Sequence, residues 1–342
     1  METIKIDGSF GEGGGQIVRS AVTLSAITRK PIEIENIRKN RKVPGLRPQH
    51  LVGIRILTKI CNARVEGLYV GSTRIKFFPS EVNNFELKEN VGTAGSIPLI
   101  LQILIPAVSV SKKSLRLSII GGTDVPWSPT CDYTRFVVGE AFSRMGINFS
   151  LVIKKRGYYP KGGGLVEVEV LPCEKIKSVS LNKRTAHTAR ILCSFSKIAQ
   201  QSIDGELDEA KRALEKAGYL SHCETNEEPA ADLGCSFLIF AHDRDSITGS
   251  DLIYRNTMKG IGQSVASTFL ESSLGVDAFL SDMLVVPMSL ADHISIFRVN
   301  KITKHLETNL FVASKITGCK YGIGKLENGF EIRIEGVSNA IV

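Results

Sequence analysis

The strongest constraint on the fold is an order of elements that recurs along the chain. Residues 2–6 alternate polar and apolar as a strand, 13–27 read as a helix, 31–37 as a strand, 47–61 as a helix, and 64–70 with 73–78 as a hairpin. From residue 85 the order returns as a short strand, an uncharged helix at 94–110, a strand at 114–120, a helix at 131–145 and strands at 148–154 and 165–170. A third copy is interrupted: its first strand lies near Val179, and the order resumes with helix 276–290, strand 293–299, helix 303–316 and strands 319–323 and 330–334. A period of about 80 to 90 residues exceeds that of solenoid repeats. The pattern predicts an α/β (α+β) chain whose three repeated β-α-β-α-β-β modules, about 1–80, 83–172 and 177–183 with 275–336, surround a pseudo-threefold axis. They form a large domain of residues 1–183 and 275–342, into whose third module a small α/β domain, residues 184–274, is inserted. The insert reads as a strand at 188–195, a helix at 206–218, strands at 236–242 and 252–254, and a helix from Gly260.

Charge separates these two parts. The net charge of +8 sits entirely in residues 1–80, which hold 14 basic and 6 acidic side chains. Within residues 36–65 stand Arg38, Lys39, Arg41, Lys42, Arg47, Arg55, Lys59 and Arg64, with no Asp or Glu. That run is either a polyanion footprint or a solvated basic face. The insert has 9 basic and 13 acidic residues, so polyanion binding is expected on the large domain. Seven cysteines contain no C-x-x-C pair, which supports neither a zinc ribbon nor a disulfide framework. With no basic-then-apolar leader at residues 1–20, a reducing cytoplasm is expected. Residues 90–111 are uncharged, but Pro98, Pro106 and interspersed polar side chains make them a core helix rather than a membrane span.

Gly11-Glu12-Gly13-Gly14-Gly15-Gln16 lies between the first strand and the first helix. Consecutive glycines there let backbone amides approach an anion, although the run is neither a P-loop nor a Rossmann fingerprint and could be only a tight corner. Glu12, a carboxylate amid phosphate-binding logic, is a candidate divalent-metal ligand, or else an acid favourable at a helix start. Arg19 would lie back over the same turn. The run from Gly121 to Asp132 either lines a cleft or caps a helix, and Gly162-Gly163-Gly164, following residues 156–160, reads as a structural turn, with stacking of Arg156 and Tyr158 on a base as the alternative. Gln102, the only carboxamide in the apolar helix, is either bonded to backbone or reads the edge of a base. His305 begins the last amphipathic helix, where a positive helix end would keep the imidazole neutral and nucleophilic; the alternative is a structural histidine. His50 is a candidate phosphate contact or a surface residue, and His187, His222, His242 and His293 show no ligand spacing.

Together GEGGGQIVR at 11–19 with Gly8, IRKNRKVPGLRPQH at 37–50, GGTDVPWSPTCDY at 121–133, RGYYPKGGG at 156–164, FLSDMLVVPM at 279–288 and HLETN at 305–309 resemble the RNA 3'-terminal phosphate cyclases. The resemblance spans nearly the whole chain in order, and the family's three modules with an inserted domain are similar to the pattern above. It implies an ATP-dependent ligase that turns an RNA 3'-terminal phosphate into a 2',3'-cyclic phosphodiester through a histidine-bound AMP and an RNA-adenylate, with Mg²⁺ or Mn²⁺. By the same resemblance His305 is the nucleophile, and Gln102, Phe279, Leu280, Ser281, Asp282 and Met283 contact ATP. It likewise implies that Glu12 is the acid near the metal and that Arg19, Arg38, Arg41, Gln49 and His50 contact phosphate or the RNA end. Bacterial members tend to carry Gln where Met283 stands, so a side-chain hydrogen bond from that position is not expected here. Two other expectations compete: a catalytically silent relative that binds or cuts RNA in ribosome assembly, which would lack His305, and a small-molecule transferase gripping a phosphorylated metabolite.

Overall fold

The computed structural model describes residues 2–254 and 258–341, and the chain is of the mixed α/β class. First come β1 (Ile4–Asp7), α1 (Gln16–Thr28), β2 (Ile32–Glu35), α2 (Pro48–Ile60), β3 (Arg64–Glu66) and β4 (Ile75–Phe78). Their sheet runs β1-β2-β4-β3, with β1 parallel to β2 and the other pairs antiparallel. Next are β5 (Phe85–Asn90), α3 (Ile97–Val110), β6 (Leu115–Gly121), α4 (Cys131–Tyr133), α5 (Gly139–Arg144), β7 (Phe149–Lys155) and β8 (Gly164–Val170), with a π-helical stretch, Thr134–Val138, joining α4 to α5. This sheet runs β5-β6-β8-β7 with the same pattern of parallel and antiparallel pairs.

After the short β9 (Ser180–Leu181) the chain leaves for β10 (Thr188–Ser196), α6 (Gln200–Lys216), β11 (Leu220–Glu227), β12 (Gly234–Asp243), β13 (Ser246–Ile253) and α7 (Ile261–Glu271). It returns as α8 (Ala278–Met288), β14 (Ile294–Val299), α9 (Lys304–Thr317), β15 (Lys320–Leu326) and β16 (Gly329–Glu335). The sheet joining these to β9 runs β9-β14-β16-β15, again with the first pair parallel and the rest antiparallel. The excursion has its own sheet, β11-β10-β12-β13. One face of that sheet packs on α6 and α7 through Ile191, Phe195, Phe237, Val265 and Phe269, while Leu192, Leu238 and Phe240 on the other face join the main core. The alternation of apolar residues along β10 and β12 therefore buries both faces.

Local chemistry sets the helix ends nearest the site. The hydroxyl of Ser96 caps α3 by accepting from the Leu99 N–H, so the helix starts at Ile97 rather than at residue 94 and leaves 93–95 as loop. Asp277 caps α8 by accepting from the N–H groups of Phe279 and Leu280, and Thr303 caps α9 by accepting from Leu306. Gly318, at φ +85°, closes α9. Every residue of α1 is buried, against α3 on one side and α9 on the other. Each fully buried aliphatic there, such as Ile17 or Leu24, contributes about 1.5–3 kcal/mol. That burial brings the first helix and the last helix together. No helix of the described residues is long and apolar enough to cross a membrane; α3 packs in the core.

Candidate active site

The glycine loop between β1 and α1 takes a course that side chains would obstruct. Gly11 and Gly13 have φ of +63° and +59°. A Cβ on Gly15 would come within 2.3 Å of His50 Nε2, so the missing side chain is what lets the imidazole lie over the loop. Gly15 caps α1 without a side-chain hydrogen bond, which leaves first-turn amides for an anion. The loop is fastened from across the molecule: the Glu12 N–H donates to Thr308 Oγ1 on α9 at 3.2 Å.

Arg19 points into a bed of amides. Its Nε donates to Gln102 Oε1 at 2.8 Å and its guanidinium also donates to Gln16 Oε1. Gln16 Nε2 donates to Asn309 Oδ1 at 3.1 Å, and Asn309 Nδ2 to the Asp282 carbonyl at 2.7 Å. One chain of bonds thus joins α1, α3, α8 and α9. Burial pulls the Arg19 pKa down to about 10, partly opposed by the charge of Asp282. Gln102, left open between backbone and a base edge, here gives its carbonyl oxygen to Arg19.

Residues 37–50 make the facing wall. Arg38 donates to the carbonyls of Val43 and Gly45 at 2.9 Å each, so it is held in place without an acid neutralising it. Arg41 pairs with Glu12. His50 Nδ1 accepts the Arg47 N–H at 3.1 Å, which puts the ring proton on Nε2, over Gly15. Burial first, then the charges of Arg19, Arg38 and Arg47, hold the His50 pKa down to about 3, so this ring is a neutral donor.

His305 stands in the first turn of α9, half-buried, with Nδ1 3.8 Å from Glu12 Oε2. That nitrogen and both Glu12 oxygens are buried without a hydrogen-bond partner. The His305 pKa is lowered to about 4, by burial first and then by the Arg19 and Arg41 guanidinia. The imidazole is neutral as the sequence suggests, but the causes are desolvation and two arginines. Asp282, buried and donated to by Thr303 Oγ1 at 2.6 Å, has its pKa pushed up to about 7 by desolvation. Among the described residues no group of three or more His, Cys, Asp or Glu could hold a metal ion. A buried carboxylate with one oxygen outside its ion pair nonetheless suits a hard cation such as Mg²⁺, which keeps waters and takes its other ligands from substrate phosphates; Glu12, whose Oε1 pairs with Arg41 and whose Oε2 accepts no hydrogen bond, is of that kind.

These groups open on one cleft of about 840 Å³. Of the residues singled out from sequence, Glu12, Arg19, Arg38, Arg41, Gln49, His50, Gln102, Phe279, Asp282, Met283 and His305 line it. Leu280 and Ser281 do not: both are fully buried on the far side of α8, and the Ser281 hydroxyl donates to the Ala278 carbonyl. The 121–132 segment divides, with Val125 to Ser128 lining the cleft while Asp124 and Asp132 turn inward. They turn toward Arg156, which sets aside the stacking alternative for that residue and Tyr158 in favour of a structural role. Arg156 is buried between Asp124, Asp132 and Glu228, and the buried Tyr158 donates its hydroxyl proton to the Ser194 carbonyl. Arg47, Trp127 and Tyr159 also line the cleft. Arg47 belongs to the basic run, and Trp127 and Tyr159 to the motifs at 121–133 and 156–164, although none of the three is among the site residues expected from the sequence.

Chemically, the cleft offers a neutral imidazole, a buried carboxylate able to meet a cation, helix-start amides and an arginine wall. That set suits attack on phosphorus within a bound polyanion. A model of the family RNA 3'-terminal phosphate cyclase matches residues 10–323 of the chain. The RNA 3'-terminal phosphate cyclase of Methanococcoides burtonii is 38% identical over 335 residues, 97% of this chain and 100% of that protein. That of Methanosarcina barkeri is 37% identical over 340 residues, 97% and 99% of the two chains. That of Thermococcus kodakarensis is 38% identical over 327 residues, 93% and 94% of the two.

Proposed function

Because the chain belongs to the RNA 3'-terminal phosphate cyclase family, an ATP-using family of ligase-class enzymes, we propose that it cyclises RNA 3'-phosphates through an adenylate carried on His305. In the first step His305 Nε2 attacks the α-phosphorus of ATP. An N–P bond forms, the bond to the bridging oxygen of the β-phosphate breaks, and pyrophosphate leaves. Two features support Nε2 as the attacking atom: Nδ1 is the buried nitrogen beside Glu12, and the ring is neutral at physiological pH. Glu12 would hold a divalent cation, which when bound supplies charge neutralisation at the phosphates. Phe279, Met283 and Gln102 offer surface and hydrogen-bonding capacity for the adenosine. Met283 has no side-chain donor, so its contact is one of packing.

In the second step an oxygen of the RNA 3'-phosphate attacks the histidine-bound phosphorus and the N–P bond breaks, leaving an RNA-adenylate. In the third, the neighbouring 2'-hydroxyl attacks the terminal RNA phosphorus. Its proton is lost, AMP departs and the 2',3'-cyclic ester closes. Arg38, Arg41, Gln49 and His50 are our candidates for holding the receiving phosphate, with Arg19 behind them. Because the reacting groups, a phosphate and the 2'-hydroxyl, are the same at every 3'-phosphorylated RNA end, recognition need not depend on base sequence.

The single observation that carries this reading is the neutral His305 ring set between Glu12 and two arginines in the cleft. Incubation with α-labelled ATP and Mg²⁺ is expected to leave acid-labile, base-stable AMP on the protein, and His305→Ala to abolish it. Persistent labelling of a folded His305→Ala protein reassigns the nucleophile. We also infer that the three like-ordered sheets are copies of one module, that residues 1–183 with 275–342 form the catalytic domain, and that 184–274 is an insertion into the third copy. Seven free cysteines suit a reducing compartment such as the cytoplasm.

A further inference from the structure

Resting on the adenylation reading above, we propose that Thr308 is a positioning residue for that reaction: its hydroxyl sets where Glu12 stands against His305, which keeps the carboxylate beside Nδ1 and leaves Nε2 to meet phosphorus. Thr308 is buried on α9, three residues after His305 and so on the neighbouring turn of the same face. Its Oγ1 donates to the Lys304 carbonyl at 2.6 Å and accepts the Glu12 N–H at 3.2 Å. The first bond uses the hydroxyl's one proton, so toward the loop the oxygen can only accept, which is what a backbone N–H requires. The Lys304 carbonyl belongs to the peptide group that leads into His305, and the Glu12 N–H to the one that leads into Glu12. One oxygen thus ties together the backbones of the two residues.

Contacts on both sides of that bond keep the glycine loop running along the helix. Before Glu12, Phe10 stacks on Phe311 with ring centroids 4.0 Å apart; after it, Gln16 Nε2 donates to Asn309 Oδ1. These hold the two ends of the loop against α9, but neither touches the residue that carries the carboxylate. At Gly11 a Cβ would come within 2.3 Å of Thr308 Oγ1, so a glycine at that point is what lets the loop descend onto the hydroxyl. Arg41 meets the Glu12 carboxylate itself and does not fix its backbone. At the site, Glu12 Oε2 stands 3.8 Å from His305 Nδ1, and that nitrogen has no hydrogen-bond partner. No direct bond sets this spacing. It follows from where the two backbones stand, and Thr308 joins them. Geometry of this kind is what a reacting group depends on, since a displacement of about 1 Å can cost about 100-fold in rate.

Thr308→Val keeps the shape of the side chain and removes the hydroxyl. Its maximal rate of labelling by α-labelled ATP is expected to fall about 10- to 100-fold, while the ATP concentration giving half that rate changes less than about 3-fold. Thr308→Ser, which keeps the hydroxyl, should restore most of the rate. A second readout needs no ATP: ¹⁵N NMR of the imidazoles, with the His305 signals assigned by their loss in His305→Ala, is expected to show the ring proton on Nδ1 in the unsubstituted protein and in Thr308→Ser, and a shift toward Nε2 in Thr308→Val. Where Thr308→Val does not fold, Thr308→Ala is read in the same two ways. A folded Thr308→Val protein with unchanged rate and unchanged tautomer overturns the proposal. So does an equal loss of rate in Thr308→Ser, which assigns the effect to packing of the methyl group, and so does a loss confined to the half-saturating ATP concentration, which assigns it to nucleotide binding. Labelling that persists in folded His305→Ala while the tautomer still shifts in Thr308→Val would sink the adenylation chemistry and uphold the Thr308 bridge.

Discussion

Two buried arginines show how differently one residue type is used in this molecule. Arg156 lies among Asp124, Asp132 and Glu228, with N···O distances of 3.1, 2.7 and 3.0 Å, where it stitches the loop of the second sheet to the segment after β11. Burial opposes its charge, but the surrounding carboxylates overcome that and raise its pKa. Arg19 is equally buried, yet its hydrogen-bond partners are the neutral oxygens of Gln16 and Gln102, and its pKa falls to about 10. The first cation is neutralised by the fold. The second has no carboxylate hydrogen-bonded to it and only the charge of Asp282 to offset it, which leaves room at the foot of the cleft for an arriving anion. Electrostatic stress inside a protein thus marks the place where a ligand is expected, while electrostatic satisfaction marks scaffold.

The largest effect should come from removing the satisfied partner. Arg156→Ala leaves three carboxylates facing one another and should lower unfolding free energy by about 3–5 kcal/mol in urea titration. Arg19→Met should cost only about 1 kcal/mol, since lost hydrogen bonds are offset by no longer burying an unneutralised cation, while His305 labelling is lost. Similar destabilisation by both substitutions would erase the contrast. Next in size, replacing Arg38 and Arg41 together by Ala should weaken binding of 3'-phosphorylated RNA about 10-fold or more and make it less salt-dependent, with a smaller loss for ATP. Losses of the same size for the two ligands would move those residues to the nucleotide site.

The smallest effect is on pH dependence. With a His305 pKa of about 4, the ring is deprotonated above that value, so its adenylation rate should be flat from pH 8 to about 5 and fall by half near 4. Removing a positive neighbour with Arg41→Gln favours imidazolium, so the acid limb should move up toward 6.5. An unmoved limb would mean that Arg41 does not contribute and that burial and Arg19 set the value. The same groups govern stability. His50 and His305 have folded pKa values of about 3 and 4, below the ordinary 6.5, so the folded state binds fewer protons than the unfolded chain. Their contribution is complete above about pH 6.5 and erodes as pH falls toward those values.

The order of strands and helices was legible because apolar period changes with element type, and the elements around the cleft follow it closely. β11 was not, because its sequence, LSHCETNE, is polar on both faces; it is an exposed edge strand held by parallel pairing with β10. In the insert, α6 begins at Gln200, before residue 206, and β13 runs from Ser246, before residue 252. Short polar lead-ins gave no period to read there. The cleft residues found by motif were those whose chemistry is unusual for their place, such as Glu12 among glycines or His305 at a helix start. Those missed or misplaced depended on contacts distant in sequence. Arg156 and Tyr158 looked available for stacking because Glu228 and Ser194 lie far along the chain, and Leu280 and Ser281 turn inward because α8 buries that side.

The bond from Glu12 to Thr308, and that from Gln16 to Asn309, join groups nearly three hundred residues apart. During synthesis the arginine wall is complete and the glycine loop is out of the ribosome long before the last helix exists. A nascent chain at that stage still lacks His305, the imidazole we propose as the adenylate acceptor. On the adenylation proposed above, closure of the first helix against the last is therefore also the event that brings the receiving imidazole to the glycine loop.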